Sequence, residues 1–352
     1  MMMPYIIIVF FFVVAVFSLI EEKVKKEQMT ILSIFLIILL VIFAGLREVG
    51  VDYDSANYES AYKEYETEEG VDYSFRLISY LLNKISNDVH LLFMLYASIG
   101  VGLKYLAIRK MSISLFVPIM VYVCYYYEMH ECMQIRSGVL GGFYLLSIIY
   151  IAEKRKGIAL LFLLIGSFFH ISGLILLPIL FLNNKEFDNK SKTFWCLMIP
   201  FSYFIHFIGF NFIVSSNLPY IGSKLEIYQR MHENGYSELG INVFSPLLLM
   251  NIMMFYYLMY FSKTLEKSNM YFPLMMKCFS IGISSYMFFS FLPVLSSRIN
   301  ILYDTVSIVL FSNVAYTIKP KYASIALLIA FCFLYLNYGL KCFEGFVFLW
   351  EV

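Results

Sequence analysis

IALLFLLIGSFFHISGLILLPILFL, residues 158–182, has the length of one ordinary membrane helix and a histidine, His170, at its middle. As a single crossing it would bury that imidazole near the centre of about 30 Å of hydrocarbon. It would also place Lys185, Lys190, Lys192, Lys263, Lys267, Lys319 and Lys321 outside the cell and Lys224, Arg230, Arg298 and Lys341 inside. As a hairpin of two short helices, the run reverses those assignments. Cytoplasmic loops carry the excess of lysine and arginine, and the larger set then lies inside, so charge favours the hairpin. Each arm of about 12 residues rises only roughly 18 Å at 1.5 Å per residue. His170 is then expected at the bottom of an outward-facing depression, because non-helical backbone at that depth needs protein or a wet cavity around it.

The rest of the chain agrees with a membrane setting. Of its 352 residues, 61% are hydrophobic and 14% charged, against about 25% charged in soluble domains. Mean hydropathy is +0.75, and apolar runs long enough to cross a bilayer recur along the whole length. No ten-residue alternation of the kind a β-barrel needs is present. The reading is an all-α, polytopic membrane bundle of about 11–12 spans in one domain over 1–352. Spans are expected near 4–20, 29–46, 89–107, 112–127, 137–152, the hairpin, 193–214, 243–262, 270–294, 298–318 and 322–340. The first run lacks a basic leader and a cleavage site, and reads as a span rather than a signal peptide.

Lys23, Lys25 and Lys26 place the first loop in the cytoplasm. The loop 47–72 carries only Arg47 and Lys63 against nine acids, so it belongs outside, with the EMHECMQIR turn at 128–136. An amphipathic segment, VDYSFRLISYLLNKIS at 71–86, is expected to lie on the membrane surface with Phe75, Ile78, Leu82 and Ile85 on its apolar face. The six cysteines show no C-x-x-C pair, and the five histidines no metal-ligand spacing. No metal or cofactor is expected, and nothing points to nucleic acid.

The second informative stretch is GLREVGVDYDSANY, Gly45–Tyr58, where the chain leaves an apolar run. It concentrates Arg47, Asp52, Tyr53, Asp54, Asn57 and Tyr58. Under the hairpin topology Arg47, Arg136 and Arg298 all fall at outer ends of spans. An arginine there is costly to desolvate and takes a counter-charge or a ligand, and its fork of donors matches phosphate oxygens bidentately. Pairing with Asp52, Glu131 and Asp304 respectively is the alternative for the three. His170 is a candidate general base and Asp52 a reserve. The loop 215–242 offers Lys224, Tyr228 and Arg230 as weaker sugar contacts.

These residues fall into motifs. GLREVGVDYDSANY resembles the R-x-x-G-x-D-Y-x-x-Y signature of the EpsG family, Wzy-like polymerases of bacterial surface polysaccharide. MQIRSGVLGGFYL (133–145) resembles its Q-x-x-R or Q-I-R element, with Ser137 in place of the usual glutamine. FFHIS (168–172) resembles its F-H-x-S element, and SRINILY (297–303) its late R-x-x-x-Y element. The resemblance covers 29–182 well and the final third loosely. It implies a glycosyltransferase at the outer face of the bacterial cytoplasmic membrane. That enzyme joins oligosaccharide repeat units carried on undecaprenyl diphosphate, with a chain-length regulator as a further partner. It puts Arg47, Arg136, Arg298, Tyr53, Tyr58 and Tyr303 at the substrate diphosphates and sugars. A lipid-oligosaccharide flippase or a glycan ligase is the alternative. A carrier is expected to show inverted repeats and midplane charges, and a ligase one much larger outer loop.

Overall fold

A computed structural model describes residues 3–65, 72–215, 241–341 and 343, without the side chains of 209–215. The described chain is helical, and its one β-bridge joins Asp52 to Phe343. Six helical segments are long and apolar enough to cross a membrane: Met3–Lys23, Lys26–Gly45, His90–Met111, Ile135–Ala152, Pro293–Tyr316 and Lys321–Leu340. In chain order we label α1 (Met3–Ile20), α2 (Lys26–Gly45), α3 (Ser55–Lys63), α4 (Tyr73–Asn83), α5 (His90–Met111), α6 (Phe116–Val121), α7 (Ile135–Ala152) and α8 (Lys156–Phe169). The second half adds α9 (Asn189–Ser215), α10 (Pro246–Tyr260), α11 (Phe272–Phe288), α12 (Pro293–Asp304) and α13 (Lys321–Leu340). The protein is a polytopic membrane helix bundle, and several of its expected spans are shorter or more irregular than a plain crossing helix.

The run 158–182 is a hairpin. Helix α8 stops at His170, whose backbone is extended (φ −149°, ψ 115°), and a 3-10 helix, Ile171–Phe181, runs back. The return is closed at the far end, where Lys156 Nζ donates to the carbonyl of Leu180 at 2.5 Å. The arms match in length: about 21 Å for 14 α-helical residues and about 22 Å for 11 residues wound at 2.0 Å rise. Both lie against one side chain of α7. A Cβ added at Gly166 or at Gly173 would come within 2.8 Å of Leu140 Cδ1, so the close approach needs glycine on each arm.

Polar ties between loops separate the bundle into two ends. At the lysine-rich end, Lys321 pairs with Glu22 at 2.7 Å and Lys110 with Glu153 at 3.4 Å. Asn269 donates to the carbonyl of Met111 at 3.0 Å. Lys277 caps the segment leaving the hairpin, donating to the carbonyls of Asn183 and Lys185 at 2.8 and 3.0 Å. The opposite end holds the exit of α2, the start of α5 and α7, and the hairpin tip. There a satellite core of Tyr58, Tyr62, Phe75, Phe93, Tyr96, Ile135 and Val139 mounts α3 and α4 on the bundle.

Two expectations are corrected. The segment EMHECM is not an exposed turn. From Tyr122 to Met133 the chain is wound almost throughout as a wide π-helix, and Glu128, His130, Glu131 and Cys132 are buried. Glu131 is therefore not the partner of Arg136: Lys104 on α5 reaches it at 2.5 Å with both side chains fully enclosed. Helix α4 is amphipathic as expected but faces otherwise. Phe75 and Ser79 point inward, while Tyr73, Leu77, Tyr80, Leu81 and Ile85 form the exposed stripe.

Candidate active site

The R-x-x-G-x-D portion of the opening motif builds a clasp. Arg47, 3% exposed, spends its donors on three protein acceptors. Nε donates to Asp52 Oδ2 at 2.9 Å, and the two terminal nitrogens donate to the carbonyls of Ala44 at 2.6 Å and Cys132 at 2.7 Å. Its guanidinium also lies 3.8 Å from the centre of the Phe93 ring. Gly50, at φ +88°, supplies the left-handed turn that brings Asp52 back to Arg47. The other oxygen of Asp52 accepts the backbone N–H groups of Asp54 and Ser55 at 3.1 and 2.8 Å, fixing the start of α3. A turn later α3 presents Tyr58.

Tyr58 faces a cavity of about 260 Å³ at this end of the bundle. Asp54 and Tyr58 line it from the clasp and α3, and Gln134, Arg136 and Ser137 from the start of α7. His170 and Ser172 line it from the hairpin tip, and Ser297, Arg298, Ile301 and Leu302 from α12. The structure thus brings together Arg136, His170, Arg298 and Tyr58 from four separate parts of the chain. Arg47 and Asp52 are buried and do not line it, Tyr53 is exposed and does not line it, and Tyr303 is buried with its hydroxyl donating to the carbonyl of Ile175 at 3.2 Å. Lys224, Tyr228 and Arg230 lie outside the described residues.

The two arginines of the cavity differ. Arg136 is partly buried and donates to Asp72 Oδ2 at 2.7 Å; the Tyr58 and Phe75 ring centres are each 5.9 Å from its guanidinium. Arg298 is exposed and has no ion pair among the described residues, and the alternative partner Asp304 is instead engaged by Asn251 at 3.0 Å.

Asp72 is the residue that sequence reasoning missed. The same Oδ2 that receives Arg136 lies 3.1 Å from His170 Nδ1, and Oδ1 accepts the N–H of Ile171 at 3.2 Å. Burial pushes this carboxyl up, but the His170 hydrogen bond, the Arg136 charge and the Ile171 N–H together hold it below the usual carboxylate range. Asp54 behaves in the opposite way. Burial and then the neighbouring Asp52 charge raise it, against a smaller lowering by Arg136. Burial likewise raises the Tyr58 phenol, so it stays a neutral donor.

Chemically the cavity holds two guanidinium groups for an anion, one imidazole with a ring nitrogen to spare, and hydroxyl and amide groups that can meet sugar hydroxyls. Comparison with curated proteins and with solved structures finds no match. The sequence model of the EpsG family matches residues 30–345, nearly the whole chain, and takes in all four elements of the cavity. The protein therefore belongs to the EpsG family, the Wzy-type polysaccharide polymerases that its motifs resemble.

Proposed function

We propose that the cavity is a glycosyl-transfer centre acting on polyprenyl-diphosphate-linked oligosaccharides at the outer face of the bacterial cytoplasmic membrane. The observation that carries this reading is the convergence of Arg136, Arg298 and His170 on one cavity at the lysine-poor end of the bundle. The lysine-rich end is the cytoplasmic one by the positive-inside rule, which turns the cavity outward. The charges that line the cavity sit at one end of the bundle, whereas a carrier binds its substrate near the midplane.

The reaction joins two undecaprenyl-linked glycans. A hydroxyl of the acceptor repeat unit attacks the reducing-end anomeric carbon of the donor, the bond from that carbon to the diphosphate breaks, and undecaprenyl diphosphate leaves with the electron pair. Negative charge grows on the leaving oxygens, and prearranged guanidinium groups stabilise it without reorganising. Arg298, free of protein partners among the described residues, is the first contact, and Arg136 the second. His170 takes the acceptor proton. Tyr58, Gln134 and Ser172 orient sugar hydroxyls. Arg47 and Asp52 serve by holding the clasp that carries Asp54 and Tyr58. No metal is required for this chemistry, and a chain-length regulator is the expected protein partner.

Purified protein given a defined undecaprenyl-diphosphate repeat unit and a chelator tests the reading. It predicts one undecaprenyl diphosphate released per glycosidic bond formed. Loss of all turnover in the chelator, restored by a divalent metal, would reject metal independence. Transbilayer movement of the substrate with no new bond would replace the polymerase by a carrier.

A further inference from the structure

We propose that Asp72 is a positioning residue that couples substrate binding to the basicity of His170: its carboxylate is shared between Arg136 and His170, and a substrate diphosphate that engages Arg136 leaves it to His170 alone. This rests on the reading of the cavity given above. A single oxygen, Asp72 Oδ2, serves both partners, 2.7 Å from Arg136 and 3.1 Å from His170 Nδ1. The shorter contact is the one to the guanidinium, so the arginine holds the larger share. All three side chains are largely enclosed, at 12% exposure for Asp72, 24% for Arg136 and 17% for His170, so the competition is only weakly screened by water.

The geometry also sets the tautomer. An ionised carboxylate only accepts, so Nδ1 carries the proton and Nε2 is left as the acceptor for a substrate hydroxyl. Asp72 cannot drift away from the imidazole, because Oδ1 is tied to the N–H of Ile171, one residue past the histidine. Ser74 adds a second tie, its hydroxyl donating to the carbonyl of Phe169 at 3.4 Å. The segment 72–74 thus grips the hairpin tip on both sides of His170. When a diphosphate draws Arg136 off Oδ2, the carboxylate binds the imidazole N–H more strongly, and the imidazolium formed after proton abstraction is stabilised. The general base is then strongest when a donor diphosphate is in place, which suppresses deprotonation of an acceptor that has no donor to attack. The other charged or titratable groups around His170 are Asp54, Tyr58 and Arg298 across the cavity and Tyr96, whose ring meets Phe169 at 6.1 Å.

The test is the titration of His170 in nanodisc-embedded protein carrying 13C,15N-histidine, its resonance assigned with His170→Gln. It is run on wild type, Asp72→Asn, Arg136→Gln and the double variant, each with and without undecaprenyl diphosphate. The nitrogen shifts of wild type are expected to show the Nδ1–H tautomer, and those of Asp72→Asn a mixture. Arg136→Gln raises the His170 pKa by more when Asp72 is present than in the Asp72→Asn background, where simple charge effects would add equally. Undecaprenyl diphosphate raises it more in wild type than in Asp72→Asn, since only its own charge acts in the variant. Turnover of Asp72→Asn falls about 10- to 100-fold, the usual loss when an outer partner that orients a histidine is removed, and Asp72→Glu recovers part of it. Equal shifts with Asp72 present and in the Asp72→Asn background, or an unchanged tautomer in Asp72→Asn, overturn the coupling while leaving the polymerase reading intact. Absence of any response to undecaprenyl diphosphate in wild type overturns the diphosphate site itself, and the coupling with it.

Discussion

Arg47 and Arg298 are both arginines of family motifs, yet they stand in opposite electrostatic conditions. Arg47 is enclosed and bound to a carboxylate, two carbonyls and an aromatic face; Arg298 lines the cavity without an ion pair among the described residues. Arg47→Ala leaves Asp52 buried and unpaired, which costs about 3–5 kcal/mol, and a lowered thermal midpoint in detergent is expected. Arg298→Ala leaves that midpoint in place and lowers the rate of diphosphate release by about 10²–10³-fold, the usual loss for one prearranged donor. Arg298→Lys recovers only part, because an ammonium lacks the planar fork. Asp72 adds an acid limb. Its native pKa is depressed, so its contribution to stability is present above the ordinary value of about 3.9 and is lost as pH falls through the lowered native one. The thermal midpoint of Asp72→Asn should depend less on pH over roughly pH 2–5. Arg136, His170 and Arg298 were legible in sequence because each stands at an edge or a reversal of an apolar run, where an ionisable group takes a counter-charge or a ligand. The Arg47–Asp52 pair was legible as the alternative to a ligand; the rest of the absorption of Arg47 was not, since its other two acceptors are main-chain carbonyls, one of them 85 residues away. Asp72 was hidden among the acids of its loop; nothing in its neighbours sets it apart from Glu64 or Glu69.

At the scale of the element, the hairpin was legible and the π-wound segment was not. A histidine in mid-run and the lysine count on either side of it distinguish a reversal from a crossing by simple bookkeeping. No comparable rule reads π-winding, which lets Tyr122–Met133 bring Glu128, His130 and Glu131 into the bundle. Apolar periodicity found α4 but misjudged its face, because aromatic packing on Tyr58 and Tyr96 turned Phe75 inward. The hairpin places Asn57 and Lys190 on opposite sides of the membrane. In intact cells an impermeant thiol reagent is expected to label Asn57→Cys and spare Lys190→Cys until the membrane is opened. Labelling of both cysteines in intact cells would restore the single crossing.

Across the whole molecule, polar contacts inside the bundle register the helices that carry the cavity. Lys104 on α5 donates to Glu131 and to the carbonyl of Gly138 on α7 at 2.6 Å, and Tyr122 donates to the same Glu131 oxygen at 2.8 Å. Lys104→Met strands a buried carboxylate, and a loss of about 3–5 kcal/mol follows. Pairing it with Glu131→Leu should recover most of that loss, measured as the thermal midpoint of the purified protein. Such a network fixes where α7 begins, and with it Arg136 relative to the hairpin tip. Whether the cavity makes glycosidic bonds with His170 as base is decided by chain-length ladders from wild type and His170→Ala reconstituted side by side. Wild type is expected to give long polymer and His170→Ala none, with both recovered as folded protein in the membrane. A normal ladder from His170→Ala would contradict that role of His170.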